Sequence, residues 1–246
     1  MGEHLTSLGA GSNALIVGAS GGIGAALRDA LLAEKNIEHV VAWSRGDVEV
    51  SHEKLAWDRV DITNAASIKT AADNLPDKLH LVIVATGLLH DGDHGPEKTW
   101  RALEADWLLQ NFAVNTVGPA MVARHVLGHL PRNERTVFSA ISARVGSISD
   151  NRLGGWYGYR ASKAALNQII RTLSIELART HDNAVCVGLH PGTVDTALSD
   201  PFQANVPDNK LFTPQRAARH LLDVLDGLTP EDSGGLFAWD GERVPY

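Results

Sequence analysis

Residues 14–24 read Ala-Leu-Ile-Val-Gly-Ala-Ser-Gly-Gly-Ile-Gly, an apolar run that ends in a cluster of glycines. The run shows no alternation with polar residues, which is typical of a strand covered on both faces in a parallel sheet. From Ile23 to Ala33 the apolar residues recur at helical spacing, and residues 39–43 have the pattern of a second strand. A strand, a glycine turn, a helix and another strand predict a βαβ unit.

The same alternation continues through the rest of the chain. It predicts further strands at residues 54–57, 80–85, 136–141, 184–189 and 236–238, and helices at residues 65–74, 98–130, 157–180 and 214–225. Right-handed crossovers place such helices on both faces of a sheet. We therefore predict an α/β fold with a doubly wound, mostly parallel sheet, the Rossmann fold.

No linker, repeat or low-complexity segment interrupts this order, so residues 1–246 are predicted to form a single dinucleotide-binding domain. Three irregular stretches follow strands, at residues 86–97, 143–156 and 192–212. Ligands of open α/β sheets bind beyond the carboxyl ends of the strands. These three loops are therefore expected to form the substrate site.

The composition narrows the range of partners. The chain carries a formal net charge of -7, which offers no basic surface to nucleic acid or anionic lipid, so neither partner is expected. A single cysteine, Cys186, cannot form an intrachain disulfide, which fits a reducing compartment. The N-terminal segment has no basic stretch followed by an apolar run, and no stretch is long enough to span a bilayer. We therefore expect a cytoplasmic protein.

The glycine turn predicts a phosphate-binding site. Gly18, Gly22 and Gly24 lie between the first strand and the first helix, where glycines permit a tight turn and let backbone N–H groups approach a pyrophosphate. An ordinary strand-to-helix turn is the alternative, but it accounts for only one or two glycines. The pattern favours a dinucleotide.

The end of the second strand bears on which dinucleotide is bound. An acidic residue about 20 positions after the glycines is usual for NAD, whereas an arginine accommodates the 2′-phosphate of NADP. Here the strand ends in Ser44 and Arg45, and a guanidinium matches a phosphate group. NADP is therefore favoured over NAD. In the alternative interpretation, Arg45 is a solvated loop residue near Asp47 and Glu49.

Tyr159 and Lys163 are the candidate chemical groups. They are four positions apart at the start of a predicted helix, which puts the phenol and the ammonium on one helical face. A phenol has a pKa of about 10, and a neighbouring ammonium and a nicotinamide cation are expected to lower it. Such pairs also occur on exposed helices, but the position of this pair after the fifth strand favours a catalytic role.

Two motifs carry a resemblance to a known family. Gly-x-x-x-Gly-x-Gly at residues 18–24 and Tyr-x-Ala-Ser-Lys-x-Ala at residues 159–165 resemble the short-chain dehydrogenase/reductase family, and the resemblance extends from residue 14 to about residue 240. It implies an NADP-dependent oxidoreductase that moves a hydride between nicotinamide and a carbonyl or alcohol carbon of a small molecule. Tyr159 is then the general acid or base.

The resemblance also implies roles for individual residues. Asn115 matches the family's Asn-x-x-Gly element, which bends its helix and holds a water near the lysine. Residues 85–87 take the place of the family's Asn-Asn-Ala-Gly segment, without either asparagine. The implied cofactor-binding residues are Gly18, Ser20, Gly22, Ile23, Gly24, Ser44, Arg45, Asp61, Ile62, Ala85, Thr86, Gly87, Pro191, Gly192, Val194 and Thr196. Helices near residues 106–129 and 157–180 form homodimer or homotetramer interfaces in the family.

Within the family, the stretches at residues 144–148 and 154–163 resemble the branch of sniffer-type carbonyl reductases and C-factor-like signalling proteins. The second hypothesis for this chain is therefore a signalling or interaction protein that retains the cofactor-binding fold. Retention of Tyr159, Lys163 and Asn115 favours the enzyme.

One position departs from the family pattern. The family's catalytic serine lies three residues before the glycine of a Ser-Ser-x-x-Gly turn, and counting back from Gly146 puts Ala143 there. The nearest hydroxyls are Ser142 and Ser147. Ser142 is the predicted substitute, provided that the chain leaves strand geometry there, with Ser147 as the alternative. In a third possibility Tyr159 acts with a backbone N–H or a water.

No metal site is predicted. Residues 90–94 bring metal-capable side chains together in a loop, but without a further ligand at a zinc spacing. His125 and His129 lie one helical turn apart, without the glutamate of a metalloprotease motif. A polar substrate loop and helix-surface histidines are the favoured interpretations.

Overall fold

The computed structural model describes residues 5–47, 50–204 and 207–246. Residues 1–4, 48–49 and 205–206 lie outside the described residues. They include the start of the N-terminal segment, part of the expected substrate loop, and Glu49, which the alternative interpretation of Arg45 invoked. The strands are β1 (Ser12–Val17), β2 (Ile37–Ser44), β3 (Leu55–Arg59), β4 (Leu81–Val84), β5 (Thr136–Ile141), β6 (Ala184–His190), β7 (Thr193–Val194), β8 (Leu211–Phe212), β9 (Leu236–Ala238) and β10 (Arg243–Val244).

Eight of these strands form one sheet in the order β10-β9-β6-β5-β4-β1-β2-β3. All neighbours are parallel except β9 and β10. Strand β1 pairs with both β2 and β4, so the chain extends the sheet first to one side and then to the other. The predicted doubly wound Rossmann fold is confirmed, and its topological switch point lies at the carboxyl ends of β1 and β4.

The helices cover both faces of this sheet. They are α1 (Gly22–Ala33), α2 (Ala65–Ala72), α3 (Ala105–Phe112), α4 (Gly118–Val126), α5 (Tyr157–Leu177) and α6 (Pro214–Gly227). Apolar side chains of α1 and α6 form one buried layer with the strands, and those of α2, α4 and α5 form the other. Among the described helices, none has the length and apolar character needed to cross a membrane.

The helical stretch predicted at residues 98–130 is divided in the structure. A π-helical turn at Ala113–Val117 joins α3 to α4, and 3-10 turns at Trp100–Ala102 and Leu127–His129 flank them. Pro119 has no N–H to donate to the carbonyl four residues earlier, which favours a wider turn just before it. The pairing of β7 with β8 and the antiparallel edge strand β10 were not predicted, because their two-residue strands are too short for periodicity to appear.

Candidate active site

The glycine turn leaves no room for side chains at two of its positions. Gly18 has a φ of +90°, which L side chains rarely adopt. A Cβ on Gly22 would lie 2.5 Å from Cγ2 of Thr196, and one on Gly24 would overlap the Gly18 carbonyl oxygen. The turn therefore brings backbone N–H groups to the start of α1 at the switch point, as an anion-binding site requires.

A groove of about 250 Å³ opens beside this turn. It brings together the predicted cofactor-binding residues Gly18, Ser20, Ser44, Arg45, Asp61, Ile62, Ala85, Thr86 and Gly87. The Thr86 hydroxyl is buried and has no hydrogen-bond partner within the described part of the chain. An unsatisfied buried hydroxyl is costly, so a polar ligand in the groove would stabilise it. Because the unpartnered Thr86 hydroxyl lies in the groove beside the glycine turn, the groove fits a dinucleotide.

Arg45 borders the groove and forms no ion pair with any described residue. Asp47, which the alternative interpretation placed near it, has its carboxylate 2.5 Å from the Arg59 guanidinium. The neighbouring Ser44 hydroxyl is already satisfied, because it donates to the Gly46 carbonyl at 2.5 Å and accepts from Trp57 Nε1 at 3.0 Å. Of the two residues predicted to meet a 2′-phosphate, Arg45 is thus the one with free donors.

Asp61 also borders the groove, but one of its carboxylate oxygens is used within the chain. Oδ1 accepts hydrogen bonds from the hydroxyl of Thr63 at 2.7 Å and from its backbone N–H at 2.9 Å. These bonds lower the pKa of Asp61 below its usual value, so it is ionised at neutral pH. The contacts hold the turn that follows β3.

Tyr159 lies in the first turn of α5 beside an apolar cluster. Its ring packs with Leu89 and Ala143, and its hydroxyl has no hydrogen-bond partner among the residues that the structure describes. The preceding Trp156 adopts a φ of 55°, alone among the described non-glycine residues in having a positive φ, and its ring meets that of Tyr159 edge-on at 6.2 Å. Burial raises the pKa of Tyr159 to about 12.

Lys163 lies one helical turn further along and is only 1% exposed. Its Nζ donates a hydrogen bond to the Ile141 carbonyl at 2.8 Å and stands 5.7 Å from the centroid of the Tyr159 ring. Burial lowers the pKa of Lys163 to about 7. Proximity to Lys163 was expected to lower the pKa of Tyr159, whereas in this state of the site burial of the phenol outweighs it.

We expect Lys163→Met to raise the melting temperature of the protein without cofactor. The folded state binds fewer protons at this group than the unfolded state between pH of about 7 and 10.5, so stability falls as the pH falls through that window. A pKa lowered from 10.5 to about 7 costs about 4 kcal/mol at pH 7, and the variant avoids this cost. Less about 1 kcal/mol for the lost bond to Ile141, it should be about 3 kcal/mol more stable at pH 7.

Melting curves at pH 7 and pH 9.5 measure this difference. The exposed Lys69, which pairs with Asp73 on α2, provides the matched control Lys69→Met, for which the two pH values should give the same small effect. A Lys163→Met variant that is destabilised equally at both pH values would contradict the expectation.

Asn115 lies in the π turn and joins three segments. Its Oδ1 accepts from the Leu88 N–H at 2.8 Å, and its Nδ2 donates to the Leu88 carbonyl at 2.8 Å and to the Ser162 hydroxyl at 3.0 Å. These bonds attach the loop after β4 to α5. They supply support for the turn at residues 85–87, which lacks the asparagines of the family pattern.

Neither candidate serine forms a hydrogen bond with Tyr159 in the described part of the chain. The Ser142 hydroxyl donates to Asn167 Oδ1 at 2.7 Å, and that of Ser147 accepts from the Asp150 N–H at 3.1 Å. Ala143 has the side chain that contacts Tyr159. Ser142 borders the cavity, but the local departure from strand geometry that would direct its hydroxyl to Tyr159 is not seen, because β5 continues its hydrogen bonding through Ser142 N–H to the Leu189 carbonyl.

A second cavity, of about 610 Å³, begins at Tyr159. Its wall is mainly apolar and includes the predicted residues Ile23, Ser142, Pro191, Gly192, Val194 and Thr196. It also includes Leu89, Val145, Trp156, Leu198 and Phe202, which belong to the three loops expected to form the substrate site but were not predicted individually, and His190 at the end of β6. These come from irregular loops and strand ends, where neither periodicity nor motif spacing gives a signal. The ring of Phe202 lies 5.2 Å from that of Trp156.

The loop after β4 lies beside this cavity, and its histidines make local contacts. His94 stacks on Trp107 at 5.1 Å and contacts Asp91 at 3.3 Å, while His90 Nε2 lies 3.0 Å from the Ala197 carbonyl. Across the described ranges, no three His, Cys, Asp or Glu side chains form a group that could hold a metal ion.

The doubly wound sheet, the glycine turn and the Tyr159–Lys163 pair together define a dinucleotide-binding oxidoreductase of the α/β class. Comparison with known families narrows this further. The short chain dehydrogenase family matches residues 12–207, and the chain belongs to that family. The resemblance predicted from the two motifs is confirmed.

Similar proteins include enzymes and one protein named for a signal. The chain is 36% identical to the C-signal of Myxococcus xanthus over 155 residues, which cover 62% of this chain and 88% of that protein. It is 32% identical to 1-hydroxy-2-glutathionyl-2-methyl-3-butene dehydrogenase of a Rhodococcus species over 190 residues, 76% of this chain and 78% of the relative. The crystal structure of NADPH-bound carbonyl reductase from chicken fatty liver superposes with a TM-score of 0.82 and 26% identity, covering 96% of this chain and all of that one.

Proposed function

We propose that the protein is an NADP-dependent oxidoreductase that interconverts a carbonyl compound and an alcohol, with Tyr159 as the general acid or base. One observation carries this proposal: Tyr159 stands on the wall of a large apolar cavity at the same sheet edge as the glycine-turn groove. A bound nicotinamide and a bound substrate would meet there. The similar chicken carbonyl reductase, which was crystallised with NADPH, supports the choice of cofactor.

The groove residues would hold the dinucleotide. The turn around Gly18 would receive the pyrophosphate, Arg45 the 2′-phosphate, and the Thr86 hydroxyl a polar group of the cofactor. NADPH supplies a hydride when it is bound and leaves as NADP⁺. Pro191, Gly192, Val194 and Thr196 line the adjoining cavity, where the family resemblance assigns them to the nicotinamide.

Tyr159 is in the protonation state that reduction of a carbonyl requires. A phenol with a pKa of about 12 stays protonated at neutral pH, which is the form that donates a proton. In reduction the carbonyl carbon gains the hydride and the oxygen gains the Tyr159 proton, so the product is an alcohol. The remaining phenolate takes a proton from solvent, and the Lys163 ammonium near its ring stabilises the negative charge meanwhile.

The cavity favours a bulky, largely apolar substrate. Leu89, Val145, Leu198 and the rings of Trp156 and Phe202 provide most of its apolar wall. Apolar and aromatic walls with few polar groups are typical of sites for small organic molecules. Aromatic aldehydes, ketones and quinones are therefore the first compounds to assay with NADPH. If none of them leads to consumption of NADPH, the proposal is contradicted.

We also propose a homo-oligomer. Leu109 on α3, Val117 in the π turn and Ile175 on α5 are 67%, 53% and 48% exposed. Exposed apolar side chains on these helices favour a protein interface there. The helices are those to which the family resemblance assigns subunit contacts.

We expect Arg45→Ala to weaken NADPH binding about 10- to 100-fold and to leave NADH binding unchanged. A charge-assisted bond to a phosphate is worth about 1.5–3 kcal/mol, and NADH has no 2′-phosphate. Arg45→Asp should reverse the preference, because a carboxylate repels the phosphate and accepts from ribose hydroxyls. Titration of both dinucleotides measures the change. Arg59→Ala, at the nearby arginine that pairs with Asp47, is the control. Equal affinity of the unchanged protein for both dinucleotides would exclude the assignment to NADP.

The second candidate function is signalling, favoured by the similarity to the protein named C-signal. A signalling protein that only retains the fold would bind NADPH without consuming it. The carbonyl panel thus separates the two candidates.

A further inference from the structure

The proposed reaction needs a second hydrogen-bond donor at the substrate oxygen. Negative charge develops on this oxygen as the hydride arrives, and a positioned donor stabilises it in addition to Tyr159. Ala143 contacts Tyr159 and has only a methyl group. The Ser142 proton is already bonded to Asn167 Oδ1. The site therefore lacks a free serine hydroxyl beside Tyr159 among its described residues.

His190 is a polar side chain of the cavity wall that forms no hydrogen bond with a described residue. It is the last residue of β6, adjacent to the end of β5, where the Ser142 N–H bonds to the Leu189 carbonyl. Its imidazole borders the same cavity as Tyr159 and Ala143. Nδ1 is buried without a partner among the described residues. Nε2 is not among the buried atoms without a partner and bonds to no described residue, so it is the ring nitrogen that is open to the cavity.

Asn167 provides the complement to the buried ring nitrogen. Its Nδ2 donor is likewise buried, with no partner in the described part of the chain. A Cβ on Gly188, two residues before His190 on the same face of β6, would lie 3.6 Å from Asn167 Oδ1, so the amide stands over this strand. An unfilled donor on α5 and an unfilled acceptor on β6 thus lie on the same face of the sheet. A direct hydrogen bond or one bridging water would satisfy both.

We propose that His190 is a catalytic residue that donates its Nε2–H to the substrate oxygen in place of the missing serine, with Nδ1 accepting from Asn167. A hydrogen bond accepted by one nitrogen of a neutral imidazole leaves the proton on the other nitrogen. The inference rests on the proposed carbonyl chemistry. It assigns to this chain a pair of oxygen-binding donors, Tyr159 and His190.

The charge state of His190 agrees with this role. Burial and the positive charge of Arg144 lower the pKa of His190 to about 4, while Asp240 acts in the opposite direction. The imidazole is therefore neutral at physiological pH and has one N–H. A neutral imidazole can polarise a carbonyl without burying a full positive charge beside the nicotinamide cation.

Replacement and rescue test this inference. His190→Ala should lower kcat about 100-fold while the Kd for NADPH changes less than about threefold. Adding Ala143→Ser to this variant places a hydroxyl beside Tyr159 and should restore kcat at least about tenfold. As a control, Ala143→Ser alone should turn over substrate as the unchanged protein does. The control is His39→Ala, at an exposed histidine of β2 outside both cavities. Loss of turnover without rescue by Ala143→Ser, or turnover within threefold of the unchanged protein, would overturn the role of His190.

A second measurement does not depend on activity. Nitrogen chemical shifts of the His190 imidazole in the full-length protein at pH 7 identify the protonated ring nitrogen, and we expect it to be Nε2. A proton on Nδ1 would exclude His190 as the donor. If no carbonyl compound or alcohol is turned over, the proposed function fails, and the imidazole shifts still decide the state of His190.

Discussion

Tyr159→Phe should reduce turnover about 1,000-fold while NADPH affinity stays within about twofold. The substitution removes only the hydroxyl that exchanges a proton with the substrate oxygen, and general acid catalysis typically contributes about 100- to 10,000-fold. The ring remains, with its edge-on contact to Trp156 and its place near Lys163. Fold and groove should therefore be unchanged, and single-turnover rates should fall as much as kcat.

The adjacent Tyr157 provides a matched control. It is the first residue of α5, is 37% exposed and does not border the Tyr159 cavity. Tyr157→Phe should keep ordinary turnover. Ordinary turnover of Tyr159→Phe on the best substrate would mean that another group transfers the proton.

Gly24→Ala should weaken NADPH binding at least about 100-fold. A Cβ at this position would overlap the Gly18 carbonyl oxygen and lie 2.8 Å from the Gly18 carbonyl carbon, and backbone atoms cannot move aside as a flexible side chain can. The start of α1 must shift away from the turn, which displaces the N–H groups that meet the pyrophosphate. Overpacking of this kind also costs about 1–3 kcal/mol of stability.

Calorimetric titration and melting temperature measure the two effects of Gly24→Ala separately. Gly227, at the end of α6, has nothing within 4 Å of its Cβ position, so Gly227→Ala controls for the loss of glycine flexibility alone. It should bind NADPH normally and melt no lower than the unchanged protein. Normal binding by Gly24→Ala would show that the turn does not receive the phosphates.

The predictable parts of the molecule rest on local patterns. The strand from Ser12 to Val17 and the helix from Gly22 to Ala33 are visible in the sequence, because burial on both faces and the helical period each leave a short-range pattern. The long helix α5 was expected at residues 157–180 and is observed at Tyr157–Leu177, with Tyr159 and Lys163 on one face. Spacing within one helix needs no tertiary information.

Other features of the site depend on contacts between distant segments. The Ser142 hydroxyl bonds to a residue 25 positions away, and this bond makes it a poor candidate for the substrate oxygen. Trp156 and Phe202 reach the same cavity from separate loops. Local sequence patterns do not predict such contacts between distant segments.

The sequence by itself determined the sheet and helix order, the glycine turn and the spacing of Tyr159 and Lys163, because each depends on residues close together in the chain. Only the tertiary structure decided which side chains surround them. Burial raises the pKa of Tyr159, whereas its proximity to Lys163 alone predicts a lower one, and burial lowers the pKa of Lys163. Desolvation depends on all the atoms packed around a group, and these come from distant parts of the chain. His190 likewise borders the cavity because β6 pairs with β5, and this pairing exists only in the folded sheet.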